Sequence, residues 1–259
     1  MTENPNAAPP ILLLIHGLGA TPGVWDGLVE SVDWSGPVLT PPLPGHGSGA
    51  WNGDYSVSAL ARAVASSVSE RRPVLAVGHS LGGAVGVELA SGRYQLPVVG
   101  VLGLGIKTTW TDDDVAGMAK VAGRGVRWFP TREEAVARFL RSAGLDQIVD
   151  PDHPAVTDAV VEAPEGAEGA DHDEAPGWRV AQDPATFAQE PVDMRALLDA
   201  AQCPVWLGAG EHDAMATEAE LSAFTDTPLI ATDRGHNVQV EDPIWVASLI
   251  ERLAATVLK

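Results

Sequence analysis

The sequence predicts an α/β fold: a parallel sheet with helices on both faces, interrupted by one insertion. Three observations lead there. Short continuous apolar runs, such as Ile11-Leu12-Leu13-Leu14-Ile15 and Val74-Leu75-Ala76-Val77, have the length and composition of strands buried on both sides. They alternate with stretches of helical periodicity, the pattern of strands joined by crossover helices. The 259 residues, 45% of them hydrophobic, suffice for one large domain or for a core with an insertion.

In order, residues 11–15 make a strand that ends in His16-Gly17-Leu18-Gly19. Backbone N–H groups at such a glycine-rich strand end can converge on an anion without side-chain help. Residues 22–31 read as a short helix carrying Trp25, and 36–40 as a brief strand before the irregular Pro/Gly loop 41–49. Residues 56–69 form a helix with Val57, Leu60, Ala61, Val64 and Val68 on one face. The strand that follows Pro73 runs into Gly78-His79-Ser80-Leu81-Gly82, a G-x-S-x-G at a strand-to-helix corner. Its glycines remove the Cβ atoms that would crowd a strained turn. The plainer reading of Ser80 is a helix cap. Residues 96–104 make another strand.

From Lys107 to about Glu190 no apolar strand appears. Residues 107–189 are therefore expected to form a helical cap or lid, inserted between core segments 1–106 and 190–259. Within it, 114–128 and 132–143 read as amphipathic helices, the second with Glu134 and Arg138 four apart as a supporting pair. Residues 146–193 are strongly acidic, with Arg179 their single base, and 164–177 are too polar to pack a core. If that acidic half borders the pocket mouth, anionic substrates should bind poorly until salt screens the field. The alternation resumes with a helix at 193–200, a strand at 204–209, a helix near 217–224 and a strand at 228–232. Asp242-Pro243 then starts a closing helix to 258.

Four chemically distinctive groups fall at strand ends: the Leu18 backbone, Ser80, Asp213 and His236. In parallel α/β sheets the binding crevice lies outside those carboxyl ends. A serine hydroxyl is a poor nucleophile until a base takes its proton, and an imidazole of ordinary pKa near ~6.5 suits that work. A carboxylate on the other ring nitrogen fixes the tautomer. The amides of Leu18 and Leu81 would hold the developing oxyanion. Asp112 and Asp233 compete for the carboxylate role, and the strand-end position favours Asp213.

Five ordered motifs carry a resemblance. They are His16-Gly17-Leu18-Gly19, Pro44-Gly45-His46-Gly47, Gly78-His79-Ser80-Leu81-Gly82-Gly83, Gly210-Glu211-His212-Asp213, and Gly235-His236 followed by Glu241 and Pro243. Together they are similar to the α/β-hydrolase fold family over about 10–106 and 190–259, in the esterase, lactonase and carbon–carbon-bond hydrolase branch with a helical cap. The order Ser, Asp, His matches as well. The resemblance implies Ser80 as nucleophile, His236 as base, Asp213 as its partner, and Leu18 and Leu81 as oxyanion donors. Members usually have two antiparallel strands before the HG motif. Here about ten residues precede Ile11, so a three-layer αβα sandwich with a minimal six-stranded, all-parallel sheet is expected. Serine at position 80 argues against haloalkane dehalogenases and epoxide hydrolases, which resemble this fold but place aspartate there.

Other polar residues have plainer roles. His16 is expected to brace the oxyanion loop, His46 to fasten a turn, and His212 to be exposed. His79, Trp110, Trp128 and Phe129 are pocket candidates, for which packing is the competing reading. Consecutive residues such as Asp171-His172-Asp173-Glu174 rarely converge on one ion, so no metal is expected, and no motif asks for a cofactor. A net charge of −19 argues against nucleic acid and anionic membrane surfaces. Cys203 is the single cysteine, which excludes an internal disulfide, and its apolar setting suggests a buried, inert thiol. The first ten residues lack a basic region and an apolar run, so a cytoplasmic location is expected. The favoured activity is hydrolysis of a small-molecule carboxylic ester through an acyl-enzyme. The same residues would serve a lactone or a carbon–carbon bond beside a carbonyl. A receptor-like protein with a slow or vestigial triad, and cofactor-independent oxygen or halide chemistry, are further alternatives. The sequence leaves the oligomeric state open.

Overall fold

The computed structural model describes residues 8–163 and 177–258. The first half of the chain lays down β1 (Ile11–Ile15), α1 (Asp26–Ser31), β2 (Val38–Leu39), α2 (Val57–Ser67), β3 (Val74–His79), α3 (Leu81–Leu89) and β4 (Val98–Leu104). The inserted stretch adds α4 (Asp112–Ala122), β5 (Trp128–Phe129), α5 (Arg132–Ser142), β6 (Val160–Glu162) and β7 (Trp178–Val180). The chain then completes α6 (Met194–Ala200), β8 (Val205–Gly210), α7 (Glu218–Leu221), β9 (Leu229–Ala231), α8 (Val238–Glu241) and α9 (Pro243–Val257).

The main sheet has six strands in the order β2-β1-β3-β4-β8-β9, every neighbouring pair parallel. Its apolar runs are continuous because both faces are covered and successive side chains point to opposite faces. Leu12, Leu14, Leu75 and Val77 pack with Trp25, Leu28, and Val246, Ile250 and Leu253 of α9. Ile11, Leu13 and Ile15 pack instead with Leu60 and Val64 of α2 and Val85 and Leu89 of α3. Helix starts follow local chemistry. The Ser56 hydroxyl accepts from the Ala59 amide, Thr111 and Asp114 form a capping box, and the Asp242 carboxylate accepts from the Trp245 amide.

The insertion holds strands as well as the helices expected of it. Strands β5, β6 and β7 form a second, antiparallel sheet in the order β5-β7-β6. Strands of two or three residues are too short to show a period of two. Helix α4 also stops at Ala122 rather than reaching residue 128. Gly123 caps it and Gly125 adopts φ +66°, turning the chain into β5. The insertion is tied to the core by backbone bonds from Gly47 N to Ala181 O (2.6 Å) and Asp183 N to Gly45 O (2.8 Å). The Tyr55 hydroxyl also donates to Asp183 Oδ2 (2.5 Å). The most polar part of the insertion and the Asp171-His172-Asp173-Glu174 run lie outside the described residues. Cys203 is half-buried rather than fully buried, and burial pushes its thiol up to about 11, which suits an inert role. Among the described residues no helix is long and apolar enough to cross a membrane.

Candidate active site

Ser80 sits at the corner between β3 and α3 with φ 52° and ψ −118°, a backbone region that L-residues seldom occupy. The surroundings hold it there. Its amide donates to Leu104 O (2.7 Å) and its carbonyl accepts from Gly83 N (2.9 Å). A Cβ on Gly78 would lie 2.1 Å from Gly82 O, and one on Gly82 would lie 2.2 Å from Ile15 O and 2.4 Å from His16 O. The turn therefore closes only with glycine at both positions, which is the physical content of the G-x-S-x-G spacing. Among the described residues no acceptor claims the amides of Leu18 or Leu81, both of which belong to residues lining the cavity.

His16 explains how the Leu18 loop is held. It is fully buried; its Nε2 accepts from Leu43 N (3.0 Å) and its Nδ1–H donates to Gly17 O (2.9 Å). Burial, reinforced by nearby His46, lowers its pKa to about 3, so it stays a neutral brace. His46 donates from Nδ1 to Pro44 O (3.0 Å) and meets the His16 ring edge-on at 5.3 Å; burial lowers its pKa to about 4. His212 is exposed.

Asp213 and His236 are brought together from two successive loops. Asp213, only 2% exposed, accepts from His236 Nδ1 through Oδ2 at 2.9 Å. Its other oxygen accepts from the amides of Met215 (2.8 Å) and Ala216 (3.2 Å). An ionised carboxylate can only accept, so Nδ1 carries the ring proton and Nε2 keeps its lone pair. The rival Asp233 is 79% exposed at its side chain, and Asp112 is an exposed residue of the first turn of α4. Ser80 and His236 line the same cavity, of about 430 Å³, although no hydrogen bond joins the serine hydroxyl to the ring in this structure.

The rest of the lining is mainly apolar, with Leu18, Leu81, Ile106 and Met118 among its members. His79 and Trp110 line it. Trp128 and Phe129 do not, and this corrects the sequence reading. They form β5, where Phe129 pairs with Trp178 and Trp128 with Arg179, whose guanidinium lies 5.7 Å from the Trp128 ring. The cavity also includes Lys107, paired with Asp114 at 3.2 Å, and Arg141 and Asn237, none of which the sequence reading singled out. Lys107 carried a usable signal, since it lies just past the end of β4. Asn237 had one too, as the residue after His236, whereas Arg141 had none. From the acidic stretch the described residues at the cavity are Phe187, Gln189 and Val192, none of them a carboxylate. Among the described residues the one trio with metal-ligand atoms in mutual reach is Glu211, His212 and Asp233, exposed and outside the cavity lining.

The sequence profile of the alpha/beta hydrolase family matches residues 12–249. An uncharacterized protein of Mycobacterium tuberculosis is 41% identical over 91 residues, which cover 34% of this chain and 26% of that one. The chain thus matches only about a quarter of the length of that relative. A pimeloyl-[acyl-carrier protein] methyl ester esterase of Neisseria meningitidis is 30% identical over 205 residues, 78% of this chain and 75% of its own length. Among solved structures, an E-2-(acetamidomethylene)succinate hydrolase superposes with a TM-score of 0.75 at 18% identity, covering 96% of this chain and 92% of that one.

Proposed function

The chain belongs to the alpha/beta hydrolase family, and from that premise we propose that it hydrolyses a small-molecule carboxylic ester through an acyl-enzyme. The observation that carries this reading is the 2.9 Å pair of Asp213 and buried-side Nδ1 of His236, with His236 lining the same cavity as a serine held at a strained corner. Ser80 is the nucleophile, His236 the general base, Asp213 the group that fixes the tautomer, and Leu18 and Leu81 supply the oxyanion amides. Residues 107–189 act as the cap over this site.

The steps follow from the proton positions. Ser80 Oγ attacks the ester carbonyl while its proton passes to His236 Nε2, and the carbonyl oxygen becomes an oxyanion facing the two amides. The tetrahedral centre collapses; the alcohol leaves, taking the Nε2 proton, and Ser80 remains acylated. Water then attacks the acyl carbon, giving its proton to Nε2. Collapse releases the carboxylic acid and returns that proton to Ser80 Oγ. Two free amides at the growing negative charge matter most: losing one such donor typically costs about 2.7–4 kcal/mol of transition-state stabilisation. The missing Ser80–His236 hydrogen bond is compatible with this, since such bonds often tighten only when substrate is bound. The named activity of the Neisseria relative favours an ester over other acyl bonds.

An aryl phosphonate should label the protein stoichiometrically and leave Ser80→Ala unlabelled. Equal labelling of both, or none of either, would overturn the assignment. A parallel panel of aryl esters, lactones and ring-fission diketones reads the bond type; preference for the latter two would replace the ester.

A further inference from the structure

Building on the hydrolase reading above, we propose that His79 is a positioning residue that holds the base-bearing loop in register with both the nucleophile corner and the oxyanion loop. His79 is the last residue of β3, next to Ser80, and only 3% exposed. Its Nε2 lies 2.9 Å from the backbone carbonyl oxygen of His236. A carbonyl only accepts, so Nε2 carries the proton and Nδ1 is bare. That bare nitrogen is buried, has no hydrogen-bond partner among the described residues, and faces Gly17, where an added Cβ would stand 2.9 Å from it. One flat ring therefore spans the site. One edge rests on the residue before Leu18, and the other is bonded to the residue that carries the base.

The same ring backs the base directly, with its centroid 4.6 Å from that of His236 and the planes tilted by 58°. Burial, and the neighbouring imidazoles of His236 and His16, hold its pKa well below the ordinary value, so it remains a neutral donor. Among the described residues nothing else bonds to the His236 carbonyl. On its other side the loop is fastened by Gly235 N to Glu241 Oε2 (2.8 Å), and by Asn237 Nδ2 to Ala143 O (3.2 Å) and Gly144 O (3.0 Å). Losing the His79 bond should therefore let the base drift rather than unfold the loop. A misplacement of about 1 Å can cost about 100-fold in rate.

The test compares His79→Leu with His79→Gln on an aryl ester. The leucine fills the space without a donor, whereas the glutamine can present an amide N–H near the same carbonyl. His79→Leu should lose about tenfold to 100-fold in kcat with KM little changed. His79→Gln should recover most of that loss at a similar thermal midpoint. Full activity in the leucine variant, or equal losses in both, would overturn the proposal, the second outcome marking a packing role. Nitrogen-15 NMR of the wild-type protein supplies a readout that needs neither variant nor turnover. It should find His79 neutral with a slowly exchanging Nε2–H; the opposite tautomer or a charged ring would refute the tether. If the wild type neither turns over esters nor takes the phosphonate, the hydrolase reading fails, and the NMR result still decides the hydrogen bond by itself.

Discussion

Replacing Asp213 by asparagine changes one oxygen to an NH2 group at constant shape, and the surroundings dictate which way the amide points. Asp213 is 2% exposed; one oxygen accepts from the Met215 and Ala216 amides and the other from His236 Nδ1. If the amide nitrogen faced the two backbone donors, both would lose their acceptor, at about 1–3 kcal/mol for the buried Ala216 amide and less for the partly exposed Met215 amide. If it faces His236, the ring can respond by moving its proton from Nδ1 to Nε2. The second arrangement costs less, so it is the one expected. It leaves Nε2 protonated and without the lone pair that the proposed proton transfer from Ser80 requires. The expected loss in kcat is about 10⁴-fold, or about 5 kcal/mol at 1.36 kcal/mol per decade. Steady-state hydrolysis of an aryl ester by Asp213→Asn measures it, and a thermal midpoint close to wild type shows that the loop survives. A variant that retains kcat within tenfold of wild type would refute the tautomer argument.

The buried imidazoles make stability depend on pH. His16 and His46 have folded pKa values of about 3 and about 4, below the ordinary 6.5, and His79 is shifted the same way. Between those values and ~6.5 the unfolded chain binds protons that the folded one does not, so stability is complete above ~6.5 and falls as pH drops through that window. Each imidazole contributes a slope of up to about 1.4 kcal/mol per pH unit; a urea midpoint that stays constant from neutral pH down to the His46 value would contradict this. Gly82→Ala tests the corner, because its Cβ would meet two backbone oxygens, Ile15 O at 2.2 Å and His16 O at 2.4 Å, that have no rotamer to move to. About 3 kcal/mol of destabilisation is expected, and calorimetry showing an unchanged midpoint would argue against the tight packing described.

Some of this molecule is written in short stretches of chain. The six parallel strands, the corner at Ser80 and the helix starts depend on neighbours a few residues apart, so their spacing predicts them. Local order also nominated Asp213 and His236, because both follow strand ends. It did not exclude Asp233 and Asp112; burial and the 2.9 Å bond to His236 set Asp213 apart. Elsewhere the local signal was too weak or misleading. Trp128 and Phe129 look like pocket aromatics by composition, yet a two-residue strand carries them into the small sheet.

What residue order determined by itself was the kind of chemistry available: one hydroxyl at a glycine-built corner, imidazoles, and acids at strand ends. Only the tertiary structure decided which of them meet. The His79 tether joins residues 157 positions apart, and the Asn237 contacts bridge 94 and 93. Such contacts depend on how sheet, loops and insertion close over one another, and burial then sets each group's protonation and hydrogen-bond direction. Neither quantity is a property of any short stretch of sequence.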